Sequence, residues 1–157
     1  MVRLFEESWP LVVALVHGEL TDTDVEEMIS VYERIHAREE RFFLVQETRT
    51  AKLPTAVMRK KLADMNTRFA ADIERHVIGV GVIVSSVIAS GVLSAIFWVT
   101  QKQTKIFSAT SGEETLRRAS ELCNKEDVVL PPDAARFLRD LDAAALSPGG
   151  LERLLLS

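Results

Sequence analysis

The side chains of this 157-residue chain that are able to do chemistry fall into a few groups, and spacing decides what each could do. His17, His36 and His76 are widely separated, and none stands in a zinc-type spacing or beside a recognisable nucleophile. Asp22, Asp24, Glu26 and Glu27 could face a cation. The same carboxylates, placed in the first turn of a helix, are stabilised by its dipole, and no return ligand follows them. Gly79 and Gly81 make part of a dinucleotide fingerprint, but they lie inside a β-branched run instead of opening a helix. Close packing or a bulge is the expected reason for them. Arg49, Lys52, Arg59, Lys60 and Lys61 gather around the start of a predicted helix, where they could meet an acidic partner or a phosphate. As ordinary helix surface they would simply be solvated. No Gly-x-Ser-x-Gly elbow, metal cluster or cofactor motif accompanies these groups, so the expectation is a protein that is not an enzyme and carries no cofactor.

Composition narrows the class further. Hydrophobic residues make up 47% and charged residues 27%, an ordinary globular balance for one domain of this length. The net charge of −4 argues against general affinity for nucleic acid. A single cysteine, Cys123, allows no internal disulfide and suits a reducing cytoplasm. Glu6 and Glu7 interrupt the apolar start of the chain, and no signal peptide is read there.

The elements that must position these groups follow from periodicity. Residues 2–6 and 11–17 read as strands joined in a hairpin, and residues 41–46 and 105–109 as two more. Thr21 or Thr23 caps a first helix with Val25, Met28, Ile29, Tyr32 and Ile35 on one face. Residues 47–54 carry turn chemistry that leads into a second helix, continuous from Thr55 to about Arg75. Ser111 and Glu114 have the spacing of a capping box ahead of a fourth helix.

Between these lies an uncharged run, VIGVGVIVSSVIASGVLSAIFWVT over residues 77–100, long enough to span a bilayer. Its first part is nearly all Val and Ile with two glycines, which suits a buried parallel strand over 77–84. Ser85 and Ser86 then cap an apolar helix over 87–99, where Val92, Ile96, Phe97 and Trp98 offer an apolar interface or ligand surface. Divided so, the run predicts no integral membrane protein. Beyond residue 127, Pro131-Pro132 and Ser147-Pro148-Gly149-Gly150 each introduce a short helical pattern, so residues 1–127 are expected to form the domain and 128–157 a helical extension.

In the order β-β-α-β-α-β-α-β-α, the segments HGELTDTDVEEM, FFLVQETR, GVGVIVSSVIASGVLSAIFWV and TKIFSAT with the GEE-led helix resemble the bacterial STAS-like family, relatives of anti-sigma factor antagonists with a fold akin to lipid-binding CRAL-TRIO domains. The resemblance covers about residues 4–125 and implies an α/β fold: a mixed sheet of about five strands, with helices mainly on one face. It also implies a regulatory or scaffolding protein that works by binding another protein. Such antagonists carry a phosphorylatable Ser or Thr after an Asp at the start of the second helix. This chain has ETRTAKLPT there and no Asp-Ser pair. A switch, if one is built in, is expected at Thr48 or Thr50, beside Arg49 and Lys52. A homodimer through the third helix is a further expectation, and the alternative reading is a carrier or sensor of a lipid or other apolar ligand beneath residues 87–99.

Overall fold

The computed structural model describes residues 1–86 and 105–157. Strand β1 (Val2–Phe5) turns through a cis Trp9-Pro10 bond into β2 (Leu11–Gly18), and the two pair antiparallel from Val2 opposite Val16 to Phe5 opposite Val13. Helix α1 (Asp22–His36) crosses to β3 (Phe42–Ala51), helices α2 (Ala56–Arg68) and α3 (Ala70–His76) lead to β4 (Val77–Ile83), and β5 (Lys105–Ala109) precedes α4 (Gly112–Asn124), α5 (Pro132–Ala145) and α6 (Gly150–Leu156). The strands lie in the order β1-β2-β3-β4-β5, and every pairing after the hairpin is parallel. This is the mixed five-stranded α/β sheet expected from the order of elements.

Alternation along the strands divides the interior into two cores. Leu11, Val13 and Leu15 face one side with Phe43 and Val45, while Val12 and Ala14 face the other with Phe42 and Leu44. Helices α1, α2 and α3 pack on the second side through Met28, Tyr32, Met65 and Ile73. Crossovers that advance in one direction along a sheet leave their helices on a single face. The expectation of helices mainly on one face needs correction, because α4, α5 and α6 cover the opposite side through Ala119, Leu138, Leu141, Leu151 and Leu155. A sheet whose strands are apolar on both faces requires that second cover.

Two local boundaries also differ from the sequence reading. Strand β3 continues to Ala51, because Glu47, Thr50 and Ala51 still pair with Leu15, His17 and Gly18 of β2. The segment that looked like a turn is therefore mostly strand. The second helix is broken at Phe69, whose φ of −96° and ψ of 8° let its ring sink between Tyr32 and His36, with centroids 5.7 and 5.8 Å away. Gly79 and Gly81 lie within β4 and pack closely, as expected. A Cβ at Gly79 would stand 2.8 Å from the Phe43 ring, and one at Gly81 would stand 2.9 Å from the Thr115 methyl.

The caps show a similar exchange of detail. Thr21 and Asp24 form a reciprocal capping box on α1. Ser111 accepts from the Glu114 N–H at 3.1 Å, but the Glu114 carboxylate reaches the Thr110 N–H instead of completing a box.

Candidate functional site

The parallel strands end together at one edge of the molecule, where open α/β sheets place their ligand crevices. At this edge β3 sends alternate side chains to opposite sides. Glu47 and Arg49 face the α4–α5 side, and Thr48 lines a cavity on the α1–α2 side.

On the first side, Glu47 is fully buried and receives a two-pronged contact from Arg49, Nε at 3.0 Å and Nη2 at 2.7 Å. Arg49 also reaches Asp142 of α5 at 3.0 Å, and Asp142 in turn accepts the backbone N–H groups of Gly112 and Glu113 at the start of α4. Burial alone would lower the Arg49 pKa, but the Glu47 and Asp142 carboxylates outweigh it and raise the value. Arg49 is thus a structural link between β3 and α5. It does not share a surface with the other cations of its predicted cluster.

Those cations lie around the turn into α2. Arg59 donates to the Pro54 carbonyl at 3.0 Å, Lys60 pairs with Asp64 at 2.7 Å, Lys61 with Asp22 at 2.6 Å, and Lys52 with Glu19 at 3.4 Å. Thr55 caps α2 by accepting from the Met58 N–H. Thr48 donates its hydroxyl to the Ile83 carbonyl at 2.8 Å and is half-buried, whereas Thr50 is exposed and meets His17 at 3.0 Å. Beside them Leu53 and Val57 are 64% and 68% exposed, two large apolar side chains on either side of a proline.

On the second side, α1 and α2 roof a cavity of about 80 Å³ lined by Ala14, Val16, Met28, Leu62 and Met65, with Lys52 also on its wall. A smaller one of about 30 Å³ adjoins it between Phe42, Leu44, Ile73 and Val80. Tyr32, Gln46 and Asn66 line both. These three residues were not picked out from the sequence, where each occupies an unremarkable place on a helix face or at a strand end.

The remaining candidates are placed as follows. His36 and His76 meet Nδ1 to Nδ1 at 3.1 Å inside the α1–α3 core, and burial holds the His36 pKa below its usual range despite Asp72 nearby. Only their distance in sequence had hidden this pair. Asp24 is buried, which opposes its ionisation, yet the Thr21 hydroxyl, the Thr21 N–H and the Val2 N–H together keep its carboxyl below the ordinary aspartate value. Among the described residues no group of three or more His, Cys, Asp or Glu is arranged to hold a metal ion. Val92, Ile96, Phe97 and Trp98, with the helix expected over 87–99, lie outside the described residues. Among the described residues no helix is long and apolar enough to cross a membrane.

No protein-family model matches the chain, and no curated protein does. Among solved structures it is similar to an uncharacterised protein of the DUF3478 family from Shewanella loihica PV-4, with 11% identity over 76% of this chain and 92% of that one, at a TM-score of 0.58. That protein is described as having a SpoIIAA-like fold. Strand order, parallel crossovers and this likeness agree, and the chain has a SpoIIAA-like, STAS-type fold.

Proposed function

We propose that the protein is a non-catalytic regulatory or scaffolding domain of the cytoplasm that acts by docking on another protein at the corner between β3 and α2. The observation that carries this reading is the pair Leu53 and Val57, exposed on either side of Pro54, with the exposed Lys52, Arg59 and Lys60 adjacent to them in the chain. An apolar centre with a charged rim is the composition of a protein interface. Lys52 and Lys60 hold only exposed ion pairs and Arg59 a backbone carbonyl, and such surface pairs are weak and exchange readily for an acidic partner. Of the two expected switch residues, Thr50 has the accessible hydroxyl and is the acceptor for any phosphate switch, since Thr48 is half-buried and held by Ile83.

A double variant, Leu53→Asp with Val57→Asp, tests the reading in affinity purification from the native cell. Recovery of the partner is expected to be lost while circular dichroism stays unchanged. Undiminished recovery from the folded variant rejects this corner as the docking site. A second copy of the chain as the partner would show as a dimer in light scattering that the same variant dissolves.

A second reading, a sensor of a small apolar ligand, is favoured by the cavity beneath α1 and α2. That cavity is lined by described residues, whereas residues 87–99, beneath which such a ligand was first expected, lie outside them.

A further inference from the structure

Resting on that second reading, we infer that the cavity between α1, α2 and strands β2 and β3 binds an uncharged molecule of about benzene size that carries one hydroxyl, carbonyl or amide group, held by Gln46, Asn66 and Tyr32. The body of the site is apolar, with Ala14, Val16, Met28, Leu62 and Met65 around it. Of the polar lining residues, Tyr32, Gln46 and Asn66 are the three that the two cavities share.

Three observations define the chemistry of the ligand. Tyr32 and Gln46 are only 5% and 9% exposed, yet among the described residues neither side chain, nor that of Asn66, meets a hydrogen-bonding partner. Polar side chains that have no protein partner are paired by whatever fills the space they open onto, so three of them lining a common cavity offer matching groups to a guest that displaces water there. The two amides each offer donors and an acceptor, and the phenol offers both, so either a hydroxyl or a carbonyl is satisfied there.

The site also selects against charge. Burial pushes the Tyr32 phenol up to about 12, so it stays protonated, and burial lowers His36 on the wall of the smaller cavity, so it stays neutral at pH 7. Lys52 is the cation on the cavity wall among the described residues, and it is strongly exposed and paired with Glu19. A carboxylate at the inner end would lose its water without gaining a counter-charge. Size follows from the volumes, about 80 Å³ with a further 30 Å³ adjoining. An apolar cavity of about 150 Å³ takes up benzene, and these two together are smaller, so the guest is at most a single small ring or its branched aliphatic equivalent, seated partly in the mouth beside Lys52.

Titration of the full chain with benzyl alcohol, benzamide, toluene and sodium benzoate, followed by amide chemical shifts in two-dimensional NMR, tests this. Benzyl alcohol or benzamide is expected to bind saturably, with shifts around residues 32, 46 and 66, and toluene and benzoate about fivefold or more weakly, the equivalent of one net hydrogen bond. Gln46→Leu, or Asn66→Leu on the half-buried face of α2 should the first variant fold poorly, is expected to remove that preference without weakening toluene. Toluene binding as tightly as benzyl alcohol in the wild-type chain would overturn the inference and leave the apolar-ligand reading standing. Absence of saturable shifts with all four probes would overturn both.

Discussion

Glu47 shows why individual residues were the hardest part of this molecule to read. Its charge, between Gln46 and Thr48, looks like the beginning of a turn, and it is instead a buried strand residue whose partner Arg49 lies two positions away on the same face. The local half of that arrangement is legible as an i, i+2 pair once the strand is extended. Asp142, 93 positions beyond Arg49, is not, because nothing in local spacing announces a contact that the return of a distant helix creates. Removing one partner of a buried ion pair leaves the other charge uncompensated, whereas replacing both by apolar groups does not. Arg49→Met is therefore expected to lower unfolding free energy by about 3–5 kcal/mol in urea titration, and Glu47→Met combined with Arg49→Met to recover most of that loss. A single-variant cost below about 1 kcal/mol would show that Glu47 does not depend on Arg49.

At the scale of elements, strands were legible where apolar residues alternate or run on, as in β2, β4 and β5, and helices where a capping side chain starts an apolar stripe, as at Thr21 and Ser111. Failures came where tertiary contact overrides local preference. The β3 end is prolonged by pairing with β2, and α2 breaks so that Phe69 can be buried. The C-terminal helices are a third case, since their apolar stripes were visible but not the uncovered sheet face they would meet. Leu138 of α5 is fully buried against that face, and Leu138→Ala is expected to cost about 2–5 kcal/mol in urea unfolding. Leu146→Ala, at a residue 88% exposed just past α5, is expected to stay within about 0.5 kcal/mol of wild type. Similar losses at both positions would mean that α5 is only loosely attached.

For the molecule as a whole, buried ionisable groups set how stability responds to acid. Because His36 has a lowered pKa in the folded state, the unfolded chain takes up protons that the native chain refuses as pH falls from about 6.5. Stability declines through that window and the loss stops growing below the folded value. Asp24 acts later. Its lowered pKa contributes stability that is present above the ordinary value of 3.8 and is lost as pH falls through and below it. Thermal unfolding across pH is thus expected to show an early decline that His36→Leu flattens and a late one that it leaves in place. An unchanged slope between about pH 7 and 5 in that variant would assign the early decline to another group.

The contact of Arg3 with the carbonyls of Leu154 and Leu155, at 3.4 and 3.2 Å, ties β1 to α6 and has a consequence for synthesis. Leu11, Val13 and Leu15 of β2 share their core with Leu151 and Leu155, which are synthesised long after them. At about 5–20 residues per second, the interval between them is on the order of ten seconds. Throughout it the nascent β1–β2 hairpin carries an apolar face that has no intramolecular cover from α6. That face is therefore exposed on the growing chain until the last turn of α6 has been made.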